Sequence, residues 1–327
     1  MSSVQVLSTT TIHAQNHNLN GSNDRTIDLS PWDLQFLPFG YNQISFVYRH
    51  SNKSDIFNQI QHLKQSFSSA LDFFHIFAGR LKITQHGDNT ISCSIKCNNK
   101  GALFVHAAAK YITVNDILEP THLPYVHHSL FLMNGIKNYQ GTSHPLLAVQ
   151  VTELDDGIFI GITSSHVVGD ANLFSNFNNL WAKISRGSFE VSKTPIFERW
   201  FPKDKDWILL CMKIILMNKM IASHTDEMIR SHYEKWLIKP IFYVTPKDVS
   251  QNKGLVIAYS PRYDVYGNDF GWGKPVGVRT GGADKREGKI NVFAGVEEGS
   301  MVLEVCLSYD ILEAMENDLE FMDVVSP

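Results

Sequence analysis

Cysteine is scarce, and the four that occur, Cys93, Cys97, Cys211 and Cys306, follow no repeating spacing. That excludes a disulfide-stapled scaffold, and Cys93 with Cys97 lacks the second pair a zinc site needs, so no metal is expected. Long apolar runs are also absent. The longest, Trp207 to Met217, contains Lys213 and falls short of the ~18 residues of a membrane span. The opening Met-Ser-Ser-Val-Gln-Val has neither the basic nor the apolar region of a secretory signal, so a soluble, cytoplasmic protein is expected. Neither sign of charge dominates: 29 basic and 33 acidic residues are interspersed, with no basic stripe for nucleic acid. What is present is 327 residues at 43% hydrophobic content, enough for one large or two medium cores.

Along the chain, Val4 to Ile12 is rich in β-branched residues and reads as a strand, followed by a polar loop to Arg25. Ser54 or Asp55 is expected to cap a helix whose Ile56, Ile60, Leu63, Phe67, Ala70, Leu71 and Phe74 form one core-facing stripe. Leu81 to Ala109 predicts two or three strands. Leu146 to Leu154 and Gly157 to Thr163, joined by Asp155-Asp156, predict a hairpin. His122, His127 and His128 lie beside Pro120 and Pro124 and read as a solvated loop. The pattern changes near Pro195: a charged crossover follows, then helical spacing from Trp207 to Leu237, in one helix or two, and a strand at Gly254 to Ala258. Strands mixed with flanking helices predict an α/β or α+β layered fold.

Thr163-Ser164-Ser165-His166-Val167-Val168-Gly169-Asp170 is the chemically suggestive stretch. An alternating apolar run precedes it, and Leu173, Phe174, Phe177, Leu180, Trp181 and Ile184 follow at helical spacing, placing His166 where a strand gives way to a helix. Such a junction fixes the backbone and leaves an imidazole free to take a proton near neutral pH. Read alone, the stretch favours a packed histidine at a strand terminus with Asp170 as a turn or capping residue.

Far downstream lies Tyr263-Asp264-Val265-Tyr266-Gly267-Asn268-Asp269-Phe270-Gly271-Trp272-Gly273-Lys274-Pro275. An HxxxD word followed by DFGWG, in this order, resembles the plant BAHD acyltransferase family. Leu29 to Asp33, Phe77 to Leu81 and Glu320-Phe321-Met322 also stand where that family has similar words. The resemblance implies a two-domain chloramphenicol-acetyltransferase-like α/β fold, here with an N-terminal domain over 1–202 and a shortened C-terminal domain over 203–327. It further implies acyl-CoA as co-substrate, a small alcohol, phenolic or amine acceptor, no bound cofactor or metal, and a monomer. His166 would be the general base, with Gly169 and Asp170 holding its loop. Asp269, Phe270, Gly271, Trp272 and Gly273 would be structural.

Two departures from the family pattern stand out. A piece that would carry several strands, a helix and much of the CoA-binding wall is missing between Pro202 and about Met217. With it goes the arginine that usually pairs with the HxxxD aspartate, so Asp170 needs another partner. In the strand before DFGWG, Ser260 replaces the family's common tryptophan, and its hydroxyl is a candidate oxyanion or channel donor. The readings to be compared are therefore an acyltransferase and a catalytically impaired, shortened binding protein. A narrower third reading is elimination chemistry at the same histidine.

Overall fold

The computed structural model describes residues 4–16, 25–49, 55–86, 91–119, 125–190, 195–199, 225–239, 255–258 and 262–325. The strands are β1 (Gln5–Ile12), β2 (Thr26–Asp28), β3 (Asn42–Arg49), β4 (Arg80–Gln85), β5 (Ile91–Lys96), β6 (Ala102–Ala108), β7 (Leu147–Glu153), β8 (Gly157–Ser164), β9 (Val256–Ala258), β10 (Gly277–Thr280), β11 (Lys289–Ala294) and β12 (Met301–Cys306). The α-helices are α1 (Pro31–Leu34), α2 (Ile56–Phe73), α3 (Val114–Leu118), α4 (Ala171–Ser185), α5 (Asp226–Ile238), α6 (Tyr309–Glu316) and α7 (Leu319–Val324).

A six-stranded mixed sheet, β1-β6-β7-β8-β3-β10, forms the centre. The β7–β8 hairpin is antiparallel, and all eight residues of β8 are buried, because both faces of the sheet are covered. Strand periodicity divides the side chains between two cores. Ile158, Ile160 and Ile162 join Phe46 and Tyr48 beneath α2 and α4, whereas Phe159 and Val47 join Val114, Leu130 and Phe131 on the other side. Strand β10 lies well beyond residue 203, yet it pairs antiparallel with β3. The large sheet thus takes strands from both halves of the chain. The three strands between Arg80 and Ala108 divide between sheets: β5 pairs with both β2 and β4 in a small sheet, while β6 joins the large sheet. The third sheet, β12-β11-β9, belongs to the C-terminal part.

Helices α2 and α4 pack through aromatic rings. Phe67 meets Trp181 at 5.0 Å and Phe177 at 5.7 Å between centroids, in the edge-to-face geometry the ring quadrupoles favour. The Trp181 indole N–H donates to Leu63 O and Ser66 Oγ at 3.3 and 3.1 Å, so its one polar atom is satisfied inside the core. Asp55 occupies the N-cap position of α2 without bonding a backbone N–H. It accepts instead from the Asn58 side-chain amide, a local bond that competes with capping. Ser54 lies outside the described residues, as do His122 and the stretch from Trp207 to His224.

His127 corrects the expectation of a solvated histidine loop. It sits on a 3-10 turn (Tyr125–Leu130), is 3% exposed, and its Nε2–H donates to Thr280 O on β10 at 2.8 Å. Burial, the largest influence, lowers its pKa from 6.5 to about 4. The unfolded chain therefore binds this proton more readily, and stability is complete above about pH 6.5 and is lost as pH falls toward 4. The loss expected from this group is about 3 kcal/mol. Urea denaturation at pH 7 and pH 4.5 should show it, and His127→Gln, which keeps a donor without titrating, should flatten the difference.

Candidate active site

His166 opens a 3-10 turn (His166–Val168) that joins β8 directly to α4. The register places Asn42 of β3 opposite Ser164 of β8, so the adjoining ends of two paired strands stand beside the histidine. Its backbone is fixed by Asn138. The His166 N–H and the Ser165 hydroxyl both donate to Asn138 Oδ1 at 2.9 Å. The Asn138 amide donates in turn to Phe36 O at 2.8 Å and Gly40 O at 3.3 Å, and the side chain is fully buried. The same segment supplies Phe36, whose ring stacks on the imidazole at 4.3 Å and 3°. The plane of the histidine is thereby set before any substrate arrives.

Gly169 lies between the turn and α4, where a Cβ would come within 2.3 Å of Leu173 Cδ2. Asp170 is the N-cap of α4: its Oδ1 accepts the Leu173 N–H at 2.9 Å, and the residue is exposed. Its charge thus rests on a helix N-terminus and in solvent. It needs no arginine to avoid a stranded buried carboxylate.

An arginine does reach this loop, from elsewhere. Arg199 donates through Nε to Asp33 Oδ2 at 3.0 Å, and through Nη2 to Val168 O at 2.7 Å and Val167 O at 3.4 Å. Both members of the ion pair are largely buried, with side chains 13% and 15% exposed. Asp33 also accepts from the Ser30 N–H and hydroxyl at 2.8 Å. Asn138 and Arg199 were invisible to motif reading. Asp33 lies within a recognisable word, but its partner is 166 residues away.

The DFGWG stretch packs on the opposite end of α4. Asp269 Oδ1 accepts from the N–H groups of Gly271 and Gly273 at 2.7 and 2.9 Å, and Arg186 approaches Asp269 Oδ2 at 3.7 Å. Phe270 is buried against Trp181 (4.6 Å) and Tyr48 (6.1 Å), its carbonyl accepting from Ser185 Oγ at 3.1 Å. Trp272 meets Tyr48 at 5.6 Å, and the Tyr48 hydroxyl donates to Asn268 O. Burial, followed by the Asp269 charge, pushes the Tyr48 phenol well above its ordinary value, so it remains a neutral donor. Helix α4 has 15 residues, about 22 Å of rise, which separates this cluster from the histidine turn. Gly271 has φ +105°, a region closed to L side chains without strain. Gly271→Ala should therefore cost about 1–2 kcal/mol, measured as a shifted urea midpoint with unchanged slope. Ser260 lies outside the described residues.

His166, Ser164 and Asn42 border a cavity of about 490 Å³, a size suited to a small molecule. Phe36, Phe39 and Phe174 line it from the N-terminal half, and Val256, Ala258, Tyr263 and Phe293 from the C-terminal half. Burial raises the Tyr263 pKa, and the nearby Asp170 charge adds to that.

A family model described as Transferase family matches residues 2–206 and 210–322. The chain belongs to this family, the BAHD acyltransferases. An uncharacterised acetyltransferase of Arabidopsis thaliana is 28% identical over 444 aligned positions, covering 99% of each chain. Vinorine synthase superposes with TM-score 0.64 at 17% identity, again covering 99% of both chains. TRI101 of F. sporotrichioides, crystallised with coenzyme A and T-2, superposes with TM-score 0.62 at 13% identity, covering 91% of this chain and 98% of its own. The mixed α/β fold of this acyltransferase is therefore theirs. Since 444 positions align against 327 residues, the Arabidopsis protein carries sequence that this acyltransferase does not. The family match breaks between 206 and 210, within the expected position of the missing piece. Among the described residues no cluster of His, Cys, Asp or Glu is arranged to hold a metal, and no helix is long and apolar enough to cross a membrane.

Proposed function

We propose that this protein transfers an acyl group from acyl-CoA to a small alcohol, phenol or amine, as a cytoplasmic monomer in plant specialised metabolism. The observation that carries the reading is His166: it is held by Asn138, stacked on Phe36, and borders a cavity shared by both halves of the chain. The imidazole takes the proton from the acceptor O–H or N–H as that atom attacks the thioester carbonyl. The C–S bond then breaks, and the departing thiolate receives the proton as CoA–SH. Acyl transfer occurs directly, so neither a covalent enzyme intermediate nor a metal is required. Gly169 and Asp170 shape the turn, while Asp269 to Gly273 brace α4 from its far end. Coenzyme A in a structural neighbour of this family supports acyl-CoA as the donor.

A second reading is a shortened binding protein without turnover. It is favoured by exposed Leu255, Ile257, Met301 and Leu303 around the C-terminal sheet, apolar side chains that an association surface would cover. Thiol release from acetyl-, benzoyl- and hydroxycinnamoyl-CoA, each with and without phenolic, alcohol and amine acceptors, separates the two. Acceptor-dependent release supports transfer. Folded protein without release on any pair supports binding.

A further inference from the structure

The cavity beside His166 has an electrostatic character that general acyl transfer does not require. Lys137, Lys285, Arg286 and Lys289 line it, and among the described lining residues there is no aspartate or glutamate. The chain as a whole has more acids than bases, so this lining does not reflect composition. The charges also come from two walls. Lys137 adjoins Asn138 on the histidine side, whereas Lys285, Arg286 and Lys289 belong to the approach to β11 and its first residue. All four are half-buried, where attraction to a ligand charge is screened less than at an open surface.

Contacts hold Lys285 and Arg286 in place. Lys285 is fixed by Glu304 at 2.7 Å, and Glu304 in turn accepts the Thr280 N–H at 3.0 Å. The Glu304 carboxylate is not among the groups lining the cavity. The Arg286 guanidinium lies 5.9 Å from the Phe39 ring centroid, and Phe39 lines the same cavity.

We infer that the acyl acceptor carries a negatively charged group, a carboxylate or phosphate, beside the hydroxyl or amine it presents to His166. This inference rests on the acyltransferase reading above. Coenzyme A is itself polyanionic, but its pantetheine arm places the diphosphate roughly 14 Å from the sulfur, about four extended residues. Lys137 adjoins Asn138, whose side chain holds the His166 turn, so this cation stands at the histidine end of the cavity. The cation on the histidine side therefore faces the acceptor.

The test measures binding and turnover separately. Equilibrium affinity is determined by tryptophan fluorescence for 3-hydroxybenzoate and 4-hydroxyphenyllactate, each beside its methyl ester. The same titration is made with coenzyme A and dephospho-CoA, for the native chain and for Lys137→Gln and Arg286→Gln. The expected result is at least tenfold tighter binding of the acids, weakening with salt and falling to within threefold of the esters in both variants, with coenzyme A affinity unchanged. Equal affinity for acid and ester, or binding of neither acid, would overturn the inference. So would variants that weaken coenzyme A and keep the acid preference, because the cations would then serve the cofactor phosphates. Melting temperatures within two degrees of native show that the variants are folded. Because affinity is read without turnover, an acid preference in a chain that releases no thiol would sink only the acyltransferase reading.

Discussion

Replacing His166 with alanine should lower acceptor-dependent CoA release by about 10²- to 10⁴-fold, with KM for the acyl-CoA little changed. The loss belongs to kcat because the imidazole is assigned a proton transfer that develops only as the acceptor attacks. Its structural anchors are independent of the ring: the backbone N–H is bonded to Asn138, and Asp170 caps the following helix by itself. The variant should therefore melt near the native temperature. Turnover within a few-fold of native in a folded His166→Ala protein would remove His166 from its role as base.

The second large effect should come from Arg199→Met. Removing the guanidinium leaves the mostly buried Asp33 carboxylate with no counter-charge beyond its bonds from Ser30, and the carbonyls of Val167 and Val168 without their donor. Breaking one side of a buried pair costs about 3–5 kcal/mol, and the Ser30 donors place this pair toward the lower end of that range. Asp33→Asn in the same chain should recover much of the stability, because a neutral amide tolerates burial better than a carboxylate. It should not recover turnover equally, since the turn below His166 still lacks its tether. Urea melts of both variants against kcat on the same acyl-CoA provide the comparison. A double variant as unstable as the single one would show that Asp33 is not what the arginine neutralises.

Some features were legible because they are local. The α2 stripe, the β7–β8 hairpin and the strand-to-helix junction at His166 follow from periodicities of two and 3.6 and from a turn signal. The cap by Asp170 spans three residues. The two motif words led to the family without any coordinates, because their spelling and order are specific where one HxxxD alone is not. The solvated reading of His127 failed for the opposite reason. The nearby prolines describe a loop, but they carry no information about β10, whose carbonyl lies 153 residues away and accepts from that histidine.

By itself, the sequence determined the α2 stripe, the β7–β8 hairpin and the junction that carries the histidine on which the chemistry is proposed to turn. Tertiary structure decided what surrounds that histidine. Asn138 reaches it across 28 residues and Arg199 meets Asp33 across 166, while Lys137 and Lys285 share a cavity although they lie in different halves of the chain. These juxtapositions depend on strand order and register in a sheet that takes β10 from the C-terminal half. Local propensity acts over a few residues and cannot encode that order; burial of the whole sheet does.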